Sequence, residues 1–269
     1  MAYVIHPASK KLLETTAEAL PGSLLLYGPD GIGLAGALEL IRGDREVVEI
    51  KPEKDGAIDL EKGSISVEMV RGLYDLVRGR ATKARVIVLR DADRMSIGAQ
   101  NAFLKLLEEP SDSTHFVLFA HNKNSLLATI RSRVQAIELR RISTDESESL
   151  LDSLNVTDAT VRSQLLFIAG GLPALLTRLA TDTTLFESRA QIVRDARTIL
   201  TETPYQRLLI AERYKERREE TLILLTDMAK LLKRSPENGS IARIGDILKT
   251  YDRIVQNGNI RMQLAALVV

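Results

Sequence analysis

Short aliphatic runs recur through the first half of the chain, each bounded by Gly, Pro or Asp: Leu24 to Tyr27, Val47 to Ile50, Val86 to Leu89, Phe116 to Ala120 and Gln135 to Leu139. Runs this brief and this continuously apolar predict strands buried on both faces, as in a parallel sheet. Between them, Ala35 to Arg42, Val67 to Arg78, Ala99 to Glu108 and Ser125 to Arg131 predict helices. Strand and helix in alternation predict an α/β fold, a doubly wound core of P-loop type with its sheet covered on both faces. After about Arg141 the strand signals stop. Thr144 starts a series of short helices with Ser, Thr or Asp at their starts, interrupted by Gly170-Gly171-Leu172-Pro173, which predicts a small helical lid. From about Asp182 the helices lengthen; Pro204 is expected to open the longest, and Ser235 to Gly239 to turn the chain before the last pair. The predicted division is therefore a core over 1–142, a lid over 143–181 and a helical C-terminal domain over 182–269.

Composition narrows the chemistry. Helix formers dominate, aromatics make up 4%, and tryptophan and cysteine are absent from the 269 residues. Without cysteine there is no disulfide framework and no thiolate zinc site, and His6, His115 and His121 have no metal-ligand spacing, so no structural metal and no zinc are expected. A formal charge of +1 excludes a global basic field and leaves any nucleic-acid contact local. The opening stretch lacks an apolar leader and no run approaches the length of a membrane span, so the expected location is cytoplasmic. The mixed charges of Glu212 to Glu220 read as a solvated helix face.

Gly28-Pro29-Asp30-Gly31-Ile32-Gly33-Leu34-Ala35 follows a strand and opens a helix, the context in which a phosphate-binding loop is meaningful. A working loop adds a lysine charge at the β- and γ-phosphates and a hydroxyl ligand for Mg²⁺. Here those two places hold Leu34 and Ala35, which supply neither. Gly28, Gly31 and Gly33 keep the turn, so residual nucleotide binding through backbone amides stays open, as does the reading of a relic turn.

Three further stretches carry a resemblance: Val86 to Met95, Ala99 to Pro110 and Thr129 to Val134. A hydrophobic strand ending in charged residues, a helix running into Leu-Leu-Glu-Glu-Pro and a loop ending in Ile-Arg-Ser-Arg, in that order, resemble the clamp-loader family of AAA+ proteins on its bacterial delta-prime-like branch. The resemblance extends weakly to Asn257 to Met262. It implies a subunit that helps place a sliding clamp on primed DNA, together with gamma/tau-like ATPase subunits and a delta-like subunit. Against the family's motifs, Arg90 stands where the metal-coordinating Asp is expected, Asp91 where the catalytic Glu is expected, and Pro173 where the lid's ATP-sensing Arg is expected. With Leu34 and Ala35, these changes imply a subunit without intrinsic ATPase and with no required cofactor. The resemblance makes Arg133 the arginine inserted in trans into a neighbour's ATP site, and Asn122 the first-sensor position; Arg131 is read as a packing or partner-interface residue. It also suggests that Arg71, Arg78, Arg80, Lys83 and Arg85 form a basic cluster toward the DNA backbone. Two departures stand out. The four-cysteine zinc module common between the P-loop helix and the acidic strand is missing, with the charged segment Arg45 to Ser64 in its place, and Val134 replaces the usual Cys. Two alternatives remain open: an active ATPase in which Arg42 or Arg90 replaces the missing cation, and a DNA-repair-associated paralogue outside the loader.

Overall fold

A computed structural model describes residues 4–60, 62–78, 84–108, 113–234 and 240–268. Its contacts divide the chain into two units, one of residues 1–157 with 169–177, the other of residues 158–168 with 178–269. The stretch expected as a lid, 143–181, is shared between them.

The first unit holds the sheet. Helix α1 (Pro7–Glu18) precedes β1 (Ser23–Tyr27) and α2 (Leu34–Ile41). Next come β2 (Glu46–Ile50), the small antiparallel pair β3 (Glu53–Lys54) and β4 (Ala57–Ile58), α3 (Val67–Arg78) and β5 (Arg85–Leu89). The unit continues with α4 (Ile97–Glu108), β6 (Thr114–Ala120), the short α5 (Ala128–Arg131), β7 (Gln135–Glu138) and α6 (Thr144–Ser153). Five strands form one sheet in the order β2-β5-β6-β1-β7, with every pairing parallel. Strand alternation sorts their side chains into two cores. Leu25, Ile87, Leu89, Phe116 and Leu118 face one side, where Phe103 of α4 meets Phe116 edge-on at 5.2 Å. Leu24, Leu26, Val86, Val88, Val117 and Phe119 face the other, against Leu13 of α1 and Leu34, Leu38 and Ile41 of α2. Both faces of β5 are therefore buried, which is why Val86 to Leu89 reads as an unbroken apolar run.

The start of α6 is set locally: Ser143 Oγ accepts from the Glu146 amide at 3.1 Å while Glu146 accepts from the Ser143 amide at 2.7 Å, a reciprocal cap. Helices α7 (Ala159–Ala169) and α8 (Pro173–Thr181) cross the division between the units.

The second unit continues with α9 (Thr183–Thr201), α10 (Pro204–Arg213), α11 (Arg218–Arg234), α12 (Ser240–Val255) and α13 (Ile260–Val268). Its core joins Ile192, Ala196 and Ile199 of α9 to Leu224, Leu225 and Met228 of α11, with Ile247, Ile254 and Leu264 behind them. Pro204 does open a helix, but the longest described helix is α9, capped by Asp182 through the Leu185 amide at 2.9 Å. Helix α10 is short because the chain turns at Tyr214, whose carbonyl accepts from the Thr221 hydroxyl at 3.1 Å. The turn expected at Ser235 to Gly239 lies outside the described residues. Among the described residues no helix is long and apolar enough to cross a membrane.

Candidate functional site

The carboxyl ends of β1, β5 and β6 lie side by side, because β1 and β5 both pair with β6. In a parallel α/β sheet this edge is where loops meet ligands. Gly28 leaves β1 with its amide bonded to the Ala120 carbonyl at 3.2 Å, and the Ile32 amide closes the turn on Pro29 at 3.1 Å. Gly31 and Gly33 sit in the left-handed region, at φ 81° and 98°, where a side chain would be strained. Gly33 starts α2, and its carbonyl accepts from Ala37 at 3.1 Å.

The loop's middle is bonded to another part of the first unit. Gly31's carbonyl accepts from the amides of Ala174 and Leu175 at 3.0 and 3.1 Å, the first turn of α8. A Cβ added to Gly31 would come within 2.7 Å of the Leu175 Cβ. Pro173 favours this seat, since at the first helical position its fixed φ is already helical and it has no amide to satisfy. Leu34, 7% exposed, points into the sheet core with Leu38 and Ile41. Leu34 is thus a core residue, and the first turn of α8 is engaged with a carbonyl.

At the end of β5, the Arg90 guanidinium reaches Glu49 on the neighbouring strand, with Nε to Oε1 at 3.1 Å and Nη2 on the same oxygen. It also lies 4.9 Å from the centre of the Phe119 ring. Burial pushes the Glu49 carboxyl up, but hydrogen bonds from Arg90 and Lys51 outweigh burial and leave it below the usual carboxylate range. Arg42 pairs with Glu39 at 2.7 Å. Both cations considered as replacements near Leu34 therefore have carboxylate partners of their own.

Asp91 meets a residue that sequence reasoning passed over. His121, just past β6, sets Nε2 at 3.1 Å from Asp91 Oδ1 and Nδ1 at 3.1 Å from the Gly28 carbonyl. With an acceptor at each ring nitrogen, the doubly protonated imidazole is favoured. The hydrogen bond to Asp91 outweighs burial, and with the Gly28 carbonyl it lifts the His121 pKa to about 9, while the same bond holds Asp91 below its ordinary value. A protonated imidazole thus joins the end of β5 to the glycine loop after β1. Asp93 accepts from the amides of His121 and Asn122 at 3.2 and 3.1 Å, fixing the segment that carries the ring. Asn122 itself accepts from the Asn124 amide at 3.0 Å, capping the turn Lys123–Ser125.

Arg133 follows α5. Its guanidinium pairs with Glu108 at the end of α4 at 3.1 Å, bonds the Thr129 carbonyl at 3.2 Å, and keeps 41% of its side chain open to solvent. Arg131 reaches Asn124 Oδ1 at 3.3 Å, and Val134 is buried. The segment leading to α5 is held by buried Gln100 of α4: its amide nitrogen donates to Met95 and Ser125 carbonyls at 3.2 and 3.1 Å, and its oxygen accepts from Leu127 at 2.7 Å. A glutamine on the apolar side of a helix is the one sequence sign of this role.

The basic cluster needs correcting. Arg85 is 8% exposed within β5 and donates to the Leu76 carbonyl at 2.9 Å, so its charge is engaged inside the fold. Arg71 is exposed; Arg80 and Lys83 lie outside the described residues, as does the side chain of Arg78. Among the described residues no group of three or more His, Asp or Glu side chains is placed to hold a metal ion.

Residues 43–143 match the family described as DNA polymerase III, delta subunit. The chain is 31% identical over 208 residues, 74% of its length, to DNA polymerase III subunit delta' of Pseudomonas aeruginosa, covering 61% of that protein. Over 74 residues, 27% of the chain, it is 47% identical to the subunit delta' of Yersinia pestis, covering 22% of it. The chain thus spans less than two thirds of the length of these relatives. A gamma subunit-related protein of Thermotoga maritima shares the fold at a TM-score of 0.56, with 17% identity and 97% of each chain covered.

A parallel five-stranded sheet with helices packed on both faces is an α/β fold, and in sequence the chain is similar to DNA polymerase III subunits of the delta' type.

Proposed function

We propose that this protein is the non-hydrolysing subunit of a clamp loader, assembling with gamma/tau-like ATPase subunits and a delta-like subunit to place a sliding clamp on primed DNA. One observation carries the reading. Leu34, at the expected lysine position of the phosphate loop, is turned into the core, so it puts no charge there, while Arg133 stays at an exposed position beside α5. Phosphoryl transfer depends on positioned charge, and this site has lost the charges that act in its own chain. Arg133 is the group that acts outward, stabilising charge on a neighbour's γ-phosphate. Residues 1–142 then serve as the core, 143–181 as the lid and 182–269 as the collar through which the subunits join. On α12, Ile241, Leu248 and Val255 recur every seven residues at 88%, 53% and 49% exposure, an apolar stripe suited to packing against another helix.

The test is ATP binding and turnover by the isolated protein, with assembly measured against a tau-like subunit and a delta-like subunit. The reading expects no turnover and a stable complex. Turnover by the isolated chain, or failure to join the complex, contradicts it.

A further inference from the structure

Within the second unit, α7, α9 and α11 enclose a cavity of about 280 Å³ that the clamp-loading reading does not use. Its floor is apolar, with Phe167 from α7, Val193 from α9 and Leu231 from α11. Three guanidinium groups line it as well: Arg194 and Arg197 from α9 and Arg234 from α11. None of its described lining residues is acidic, and none of the three arginines pairs with a carboxylate among the described residues. Arg194 is held by Gln191, with Nε and Nη2 at 3.0 and 2.8 Å from its side-chain oxygen. Arg234 lies 5.3 Å and the Lys230 ammonium 6.0 Å from the centre of the Phe167 ring. Lys230 is paired with buried Asp227 at 2.9 Å, so the positive charge left beside the aromatic floor without a carboxylate partner among the described residues is that of Arg194, Arg197 and Arg234.

We propose that this cavity is a docking site for an acidic peptide segment of a partner protein, which seats one aromatic or large aliphatic side chain on the floor and pairs its flanking carboxylates with Arg194, Arg197 and Arg234. Guanidinium forks match carboxylates in a bidentate way, and being weakly hydrated they tolerate the partial burial this requires. The size fits a single anchor, since clefts that hold whole small ligands run from roughly 300 to 1,000 Å³. The apolar floor favours a peptide over a nucleic acid. A strand-binding groove repeats cations along a track, whereas these three line one concavity that also offers a place for an apolar group. The proposal rests on this cavity alone and stands or falls separately from clamp loading.

The experiment uses the whole chain and a short fluorescein-labelled peptide of Asp and Gly with a single central Phe, read by fluorescence anisotropy. Three comparison probes accompany it: the peptide with Ala for Phe, the peptide with Asn for Asp, and a single-stranded oligothymidylate. The acidic Phe peptide should bind the wild-type protein, more weakly as salt is raised, and each altered peptide should bind at least about tenfold more weakly. Arg197→Glu and Arg234→Glu, both on exposed positions, should each weaken the acidic peptide by about tenfold or more, while Arg197→Lys should weaken it less. The proposal is overturned if the acidic Phe peptide does not bind wild type, if the Phe or the Asp residues prove dispensable, or if charge reversal leaves affinity unchanged in a folded variant. It is also overturned if oligothymidylate binds as tightly and is lost in the same variants, which would make the cavity a nucleic-acid site.

Discussion

Replacing His121 by Gln removes the cation that joins Asp91 to the Gly28 carbonyl, and its cost can be worked from the geometry. Raising the imidazole pKa from 6.5 to about 9 corresponds to roughly 3 kcal/mol of extra stability by proton linkage. The ring is 37% open to solvent, so screening reduces this to about 1–2 kcal/mol. Because the folded pKa is raised, the contribution is fully present below the unfolded value near 6.5 and is lost as pH rises through about 9. Asp91, held low by the same bond, adds stability that is present above its ordinary value and lost as pH falls through its depressed one. Urea unfolding of wild type and His121→Gln across this range should show a gap of about 1–2 kcal/mol at neutral pH that closes in alkaline solution. The ring's NMR titration should find His121 still charged well above its ordinary value of 6.5. A titration of His121 near 6.5, or a stability gap that stays constant from neutral to alkaline pH, would refute the clip.

Two other substitutions test the surroundings. Gly31→Ala puts a methyl group 2.7 Å from the Leu175 Cβ at a φ of 81°, and should lower the stability of the first unit by about 2–4 kcal/mol in urea unfolding; a neutral result would mean that α8 does not seat on the loop. Asp195 is buried in the second unit and accepts from Tyr214 at 2.8 Å and from Gln191 and Arg213 at 2.9 Å each. Asp195→Ala leaves these donors without their acceptor and should cost about 2–4 kcal/mol. The same substitution removes one reason for the raised Tyr214 pKa, so the phenol should ionise at lower pH in an ultraviolet titration. Burial, the larger cause, should keep it above that of a free tyrosine.

The middle of the sheet was legible because β1, β5 and β6 are buried on both faces and read as short continuous apolar runs. Helix α1 was not: its buried face is Ser9, Leu13 and Thr16, so a single aliphatic residue carries what a hydrophobic period should. Ser9 and Thr16 are accommodated by hydrogen bonding, Thr16 to the Leu12 carbonyl at 2.8 Å and Ser9 to the Arg140 amide at 3.0 Å, the latter a partner over a hundred residues away. In the site, the glycine turn between β1 and α2 could be read from residue types and their spacing. The partners of these residues in the folded chain could not. Gly31 meets α8 and Asp91 meets His121 only once the chain has folded, and no spacing rule links these positions. Arg85 misled for the related reason that a cation in a basic run is indistinguishable from its neighbours until β5 buries it.

The most direct test of the central claim is the DNA-stimulated ATPase rate of the reconstituted loader containing wild-type protein, Arg133→Ala, Arg133→Lys or Glu108→Gln, with assembly checked in each case. Arginine donation predicts that Arg133→Ala lowers the rate by about a thousandfold or more in an intact complex. Arg133→Lys should recover little of it, whereas Glu108→Gln, which removes only the guanidinium's partner within the chain, should leave the rate near wild type. An intact complex that hydrolyses ATP at the normal rate with Arg133→Ala, or a Glu108→Gln loss equal to that of Arg133→Ala, would contradict the account and leave Arg133 as one half of a surface ion pair.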